Sequence, residues 1–449
     1  MLELRERQTA KYIMQKIEEV VKDYDIAFDQ IFTVTCDNGA NMLAAVKELD
    51  KYVQSLKAEN LMSGEGDEDV ENDDEQLLSD LMIELSSKVS LVRCAVHTLQ
   101  LAVTDVIKYT DSRIRSVTAA AKHCRKIAYQ PSFDLKNVPL PPLYAITRWG
   151  GIYDLISNLC EHEEFYKELG KQFKELDLSD QWEFVHEYKN ALEPIRIATD
   201  ALQNKHVSLG DFYIHWLRCM MEVKKQPTNE LAVALTESLQ TRLQQLKQNL
   251  AFKASLLIDP RFNYISSSVL TPEEKEETRK FIIATSERIK SLNPDTPPQM
   301  SDAADQNTST SNLDDFMTRL FGGTLPSSSQ NDPVNTFEKQ LNALDLETHQ
   351  NYKYDTWKHW TARKDTHPEL SAVALVVMTV PSTQVSVERS FSALAIVLSP
   401  ARTKLSAQNL ANILLIKLNS ELLPKIIPSM YDWKDFKGLC ALVDNIDNM

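Results

Sequence analysis

Apolar residues near the front of the chain recur every three or four positions, at Ile13, Ile17, Val20 and Val21. That spacing predicts an amphipathic helix over 2–24. "IFTVTC" (31–36) then concentrates β-branched and aromatic residues and predicts a strand. Helical spacing returns in "GANMLAAVKELDKYVQSL" through Met42, Leu43, Val46 and Leu49. A second strand is predicted in "KVSLVRCAV" (88–96), and a helix in "HTLQLAVTDVI" (97–107). The alternation of helix and strand predicts parallel strands joined by crossover helices, an α/β core.

From 150 to about 290 the pattern is helical almost throughout. "GIYDLISNLCEHEEFYKEL", "WEFVHEYKNALEPIRIATDAL" and "NELAVALTESLQTRLQQLKQNL" carry heptad-like apolar spacing. "FKASLLID" (252–259) is the one strand candidate in this region. Between 293 and 334 the composition turns to Pro, Ser, Asn, Asp and Thr, which reads as a disordered linker with room for a short helix at "LDDFMTRLF". Helical patterns resume in "YDTWKHWTARK", "ELSAVALVVM", "TQVSVERSFSALAIV" and "LSAQNLANILLIKLN".

Composition sharpens this picture. The chain has 449 residues with only 10 glycines, 43% hydrophobic and 25% charged residues. A mostly helical, soluble body follows. The net charge of −15 argues against generic nucleic-acid coating. Part of the excess is local, since 65–75 holds eight acids and no base, which reads as a solvated loop at about 62–76. Six scattered cysteines with no CxxC pair fit a reduced, intracellular protein. The N-terminus lacks a signal-peptide core, and no apolar run is long enough for a membrane span.

Four places carry candidate chemistry. Asp37 closes the first strand, where α/β folds place their sites; it could ligate a metal or cap the following helix with Asn38. Glu388 shares a helical stripe with Gln384, Phe391 and Ala395 and needs a partner if buried, a Mg²⁺ ion or an arginine. Cys94 and His97 form half a zinc site with no second pair to complete four ligands. Arg148 and Trp149, in "TRWGG", could clasp a phosphate and stack a base, or anchor a core.

In their order, "TVTCDNGANM", "RCAVHTLQLAV", "TRW", "ATDAL", "LLIDPRF" and "PSTQVSVERSFSALAIVLSPARTKLSAQNLANILLIKLN" resemble the hAT superfamily of cut-and-paste DNA transposases. The resemblance covers nearly the whole chain and is most specific from about 368 to 419, which is similar to the hAT C-terminal dimerisation region. It implies an RNase H-like core interrupted by a large all-α insertion domain. It also implies a divalent-metal site of two aspartates and a glutamate. Asp37 would be the second aspartate and Glu388 the glutamate, with Mg²⁺ as their metal. Arg148 and Trp149 match the family's RW motif, and Cys94 and His97 its CxxH motif; both sit against DNA in the family. Phe391, Leu394, Leu410, Ile413 and Leu414 fall on the dimerising helices.

The sequence departs from the family at its start. The family's first aspartate lies on an early strand, and here only Asp23, Asp25 and Asp29 precede Asp37, at a helix end and turn. The BED zinc finger of many relatives has no counterpart. The expectation is therefore a truncated RNase H-like core in 1–148, a helical insertion in 149–292, a linker in 293–334, and the rest of the core with the dimerisation region in 335–449. Such a chain is expected to be catalytically inactive, to bind no cofactor, small molecule or membrane, to homodimerise, to keep residual DNA binding, and to reside in the nucleus. The competing expectation is a fragment of an active, Mg²⁺-dependent transposase.

Overall fold

The computed structural model describes residues 9–27, 30–37, 42, 44–47, 89–107, 111–143, 149–204, 207–292, 333–398 and 406–419. The acidic run, the linker through 332, Arg148 and 420–449 lie outside the described residues. Helix α1 (Ala10–Asp23) starts at Thr9, whose hydroxyl accepts the Tyr12 N–H (3.3 Å), and it buries Ile13 and Val21. It ends in a turn where Asp25 takes a left-handed conformation (φ 53°), so the early aspartates Asp23 and Asp25 stand on a helix end and a turn. Strand β1 (Thr33–Cys36) pairs in parallel with β2 (Ser90–Arg93), Thr33 opposite Ser90 and Cys36 opposite Arg93. The parallel pair expected from the alternation is present.

A lone two-stranded sheet is marginal, and parallel strands need both faces covered. On one face Val46 and Val89 are buried with Ile17, Ile31, Val34 and Leu91 packed against them. On the other, Val92 joins the main core and Phe32 packs against Phe281 (5.9 Å between rings). The outer edges are closed by side chains from distant elements. Asn249 Nδ2 donates to Leu91 O (2.7 Å), Arg288 Nη2 to Ile31 O (2.7 Å) and Gln384 Nε2 to Thr35 O (3.1 Å).

After β2 the chain enters α2 (Ala95–Val106), α3 (Ser112–His123) and α4 (Gln130–Lys136). A helical body follows: α5 (Trp149–Glu161), α6 (Glu163–Gln172), α7 (Trp182–Leu202), α8 (Leu209–Lys224), α9 (Glu230–Lys247), α10 (Leu250–Leu257) and α11 (Pro272–Leu292). Its core is one continuous apolar cluster centred on residues such as Leu192, Ile195, Phe212, Trp216 and Leu239. Helix α2 is tied to it by Arg242, whose guanidinium grips Asp105 in a fork (2.7–2.9 Å), and by Ser238 Oγ donating to Ala102 O (2.9 Å).

"FKASLLID" is helical and not a strand. Asn249 caps it by accepting the Phe252 N–H (2.9 Å), and residues 251–257 are buried all round. A short apolar run buried on every side has no period to read.

The "LLIDPRF" stretch joins this body to the C-terminal helices α12 (Pro333–Ala343), α13 (Thr356–Thr361) and α14 (Pro368–Met378). Asp259, 3% exposed, accepts both arms of Arg261 (2.6–3.0 Å) and the Thr356 hydroxyl (3.4 Å). Arg261 reaches on to Asp211 (2.7 Å), while the Trp360 indole donates to Ile258 O (3.0 Å). Helices α15 (Val385–Val397) and α16 (Ala407–Leu418) pack on each other and complete the described chain. The molecule is mostly helical with little sheet. No helix among the described residues is long and apolar enough to cross a membrane.

Candidate functional site

The carboxyl ends of β1 and β2 meet the segment that starts α15. Asp37 directly follows β1 and is half-buried; Cys94 directly follows β2 and is 3% exposed. Across these ends runs 381–384. Thr35 Oγ1 donates to Pro381 O (2.7 Å), the Ala95 N–H to Ser382 O (2.8 Å), and Ser382 Oγ to Val207 O (2.7 Å). The Gln384 N–H reaches Cys94 Sγ (3.4 Å), and its side chain holds Thr35 O, 349 positions away in the chain. One turn into α15 stands Glu388, its N–H donating to Gln384 O (3.1 Å). The fold thus brings Asp37 and Glu388 to the same end of the sheet. Glu388 is exposed, so the stripe it shares with Gln384 does not bury it.

Burial dominates the electrostatics of the sulfurs here. It pushes the Cys36 thiol up to about 11, with the Asp37 charge adding to it. Burial also raises the Cys94 thiol, opposed by the His97, Gln384 and Val96 amides and reinforced by Glu388. Both sulfurs are neutral thiols at pH 7, poor metal ligands and poor nucleophiles. His97 is half-buried in the first turn of α2, beside Cys94 in the chain. Among the described residues no three His, Cys, Asp or Glu side chains are grouped to hold a metal ion. A two-metal centre needs bridging carboxylates with supporting ligands. Asp37 and Glu388 alone do not fit one. Trp149 opens α5, and its partner in the RW motif, Arg148, lies outside the described residues.

Helices α15 and α16 form a second candidate site. Val385, Ala393, Val397 and Leu414 are buried there. The opposite side of α15 carries Val387, Phe391, Leu394 and Leu398 at spacings of four, three and four, a coiled-coil seam. Val387, Phe391 and Leu398 are each about half exposed, and Leu394 is half-buried. On α16, Leu415 (62% exposed) and Leu418 lie outward, while Leu410 and Ile413 are half-buried and Leu414 is committed inside the chain.

The hAT family C-terminal dimerisation region matches residues 337–420, a span that contains this seam. The chain carries a segment similar to that region. It is 22% identical over 352 residues to zinc finger BED domain-containing protein 4 of Homo sapiens, covering 74% of this chain and 30% of that protein. The chain therefore spans under a third of that relative's length. Within the hAT segment, the sequence reading named Phe391 and Leu394 on this face and did not name Val387, Leu398 or Leu415. The signal for Val387 and Leu398, the four-three-four spacing that starts at Val387, is legible in the sequence. The anchoring role of Gln384 is not, because its partner carbonyl is set by the sheet.

Proposed function

We propose that this chain is a transposase-derived hAT protein that acts as a self-associating module and does not cleave DNA. The observation that carries the reading is the apolar seam of Val387, Phe391, Leu394 and Leu398 on α15, with Leu415 and Leu418 also exposed on the neighbouring α16. Contiguous exposed apolar side chains of this kind mark an interaction surface. The occupant is a second copy, because the seam falls within the segment that matches a dimerisation region. A two-fold axis would set the same face against itself. The non-catalytic part of the reading rests on donors: two carboxylates at the strand ends, beside two neutral thiols. Residual DNA contact falls to Arg148 and Trp149, with Cys94 and His97 nearby in the motif order, and a nuclear location follows from that partner.

Size-exclusion chromatography with light scattering tests the dimer. Wild type at micromolar concentration is expected at twice the chain mass. Phe391→Glu combined with Leu415→Glu is expected as a monomer, since each would leave a charge unpaired in a dry interface. A strictly monomeric wild type removes the reading.

A second reading, a fragment of an active transposase, draws on one observation: Asp37 directly follows β1, and Gln384, one turn before Glu388, is bonded to the same end of β1, the carboxyl end of parallel strands where such centres form. It requires a third carboxylate from outside the described residues. Nicking of supercoiled DNA with Mg²⁺ or Mn²⁺ that disappears in Asp37→Asn and Glu388→Gln would establish it. The first reading expects no nicking in any of the three proteins.

A further inference from the structure

Cys160 differs from the other described cysteines. Cys36, Cys94, Cys124 and Cys219 are buried, while Cys160, in the last turn of α5, is only partly so. Its Sγ faces His186 Nδ1 of α7 at 3.9 Å. The other ring nitrogen, Nε2, lies 3.0 Å from Glu163 Oε2 at the first position of α6. Three successive helices thus supply a thiol, an imidazole and a carboxylate, each in contact with the next. Lys167, one turn further along α6, bonds Glu163 (2.7 Å) and holds its carboxyl below the ordinary carboxylate range. Glu163 is therefore ionised at neutral pH, and the Nε2–H donates to it. That fixes the tautomer and leaves the Nδ1 lone pair turned to the thiol.

An exposed ion pair between His186 and Glu163 would contribute little to stability, and it accounts only for the Nε2 side of the ring. It does not account for a thiol on Nδ1. The surroundings disfavour a standing thiolate. Burial raises the Cys160 thiol, Lys189 of α7 partly opposes it, and Glu163 adds to it. The C-terminal end of α5 acts in the same direction as burial. Such a thiol reacts when its proton is removed as the new bond forms, which requires a base in contact. His186 holds that position, and Glu163 steadies the imidazolium that results. Glu163 and Lys167 of α6 and Lys189 of α7 set the charge around the pair, and the uncharged Trp182 ring borders the imidazole (6.3 Å between rings).

We propose that Cys160 is a site of reversible thiol–disulfide exchange with a small soluble disulfide, with His186 as general base and Glu163 as its positioning residue. In the step, the Cys160 S–H proton passes to His186 Nδ1 as Sγ attacks one sulfur of the disulfide. A new S–S bond forms to Cys160 and the old S–S bond breaks. The departing thiolate takes the proton back from the imidazolium. Cys160 is oxidised, the departing half is reduced, and the disulfide is the oxidant. The site goes beyond the reading above and is independent of it, since α5, α6 and α7 carry no part of the apolar seam.

The test uses the folded full chain with excess glutathione disulfide, an acid quench and peptide mass analysis, which reads Cys160 apart from the other cysteines. A mixed disulfide at Cys160 is expected. Its rate should rise through about pH 6.5, where an imidazole loses its proton, and then flatten. His186→Gln is expected to slow the reaction about 10²-fold. It should also replace the plateau with a rise of about tenfold per pH unit, the behaviour of an unassisted thiol. Glu163→Gln keeps an acceptor and removes the charge, so the inflection should move to lower pH. Circular dichroism checks that each variant is folded, and the wild-type pH profile decides the matter without any variant. No adduct at Cys160, a wild-type rate that climbs about tenfold per pH unit with no plateau, or an equal rate in folded His186→Gln each overturns the proposal.

Discussion

At the scale of single residues, buried charge decides most. Arg261 is 6% exposed on its side chain and is divided between Asp259, itself buried, and the half-exposed Asp211. Removing one partner strands the others in a dry site, at a cost of about 3–5 kcal/mol. Asp259→Ala is therefore expected to lower unfolding free energy by that amount in urea melts. A change under about 1 kcal/mol would mean that the cluster behaves like a surface pair. His359 in α13 gives the second residue-level expectation. Burial, then the Arg363 charge, pushes its pKa below the usual value, against the pull of Glu347 and Asp259, while Tyr354 Oη lies 3.0 Å from its Nδ1. The unfolded chain binds a proton near pH 6.5 and the native state resists it. The unfolded state thus holds more protons in the window below that value, so stability falls as pH drops through about 6.5. His359→Gln is expected to flatten that part of a stability-against-pH curve. An unchanged curve would show that His359 is not its source.

Among the elements, α15 is joined to β1 and β2 by a few long-range hydrogen bonds, with Cys36, Cys94 and Ser382 buried where they meet. Gln384 supplies two of them, and α15 buries only Val385, Ala393 and Val397 on its own length. Gln384→Ala is expected to loosen this end locally, at about 1 kcal/mol. Amide exchange at Ala95, whose N–H is bonded to Ser382 O, should speed up while the α8 core stays protected. Equal loss of protection in both places would mean that the junction and core open together. The elements themselves were largely legible. β-branched runs located both strands, and three- and four-residue spacing located α1, α2, α5, α7, α9 and the C-terminal helices. Asp37 and Glu388 were legible as candidates because one closes a strand and the other sits on a helix stripe. What stayed hidden was tertiary. Nothing local says that Asn249, Arg288 and Gln384 close the sheet edges, or that Asp259 and Arg261 find Asp211 some fifty positions earlier. The α10 run failed for a different reason, since burial on all sides erases the period that separates helix from strand.

For the whole molecule, the division between the main core and the C-terminal pair matters most. The core cluster extends as far along the chain as Val380, while Val385, Ala393, Val397 and Leu414 are buried outside it. Among the described residues, helices α15 and α16 are held to the body by the strand-end junction and by Arg389, whose guanidinium donates to Gln203 O, with their seam turned outward. A second copy on that seam would shield Val387, Phe391, Leu398, Leu415 and Leu418 from water and bury α15 on both sides. Binding that occurs only in the native state raises stability by mass action, by about 2.7 kcal/mol at a hundred times the dissociation constant. The melting temperature of wild type is therefore expected to rise with protein concentration, and the C-terminal pair should gain amide protection over the same range. With Phe391→Glu and Leu415→Glu the melting temperature should become independent of concentration. If it tracks concentration equally in wild type and variant, association runs through another surface, and the outward seam is left for a different partner.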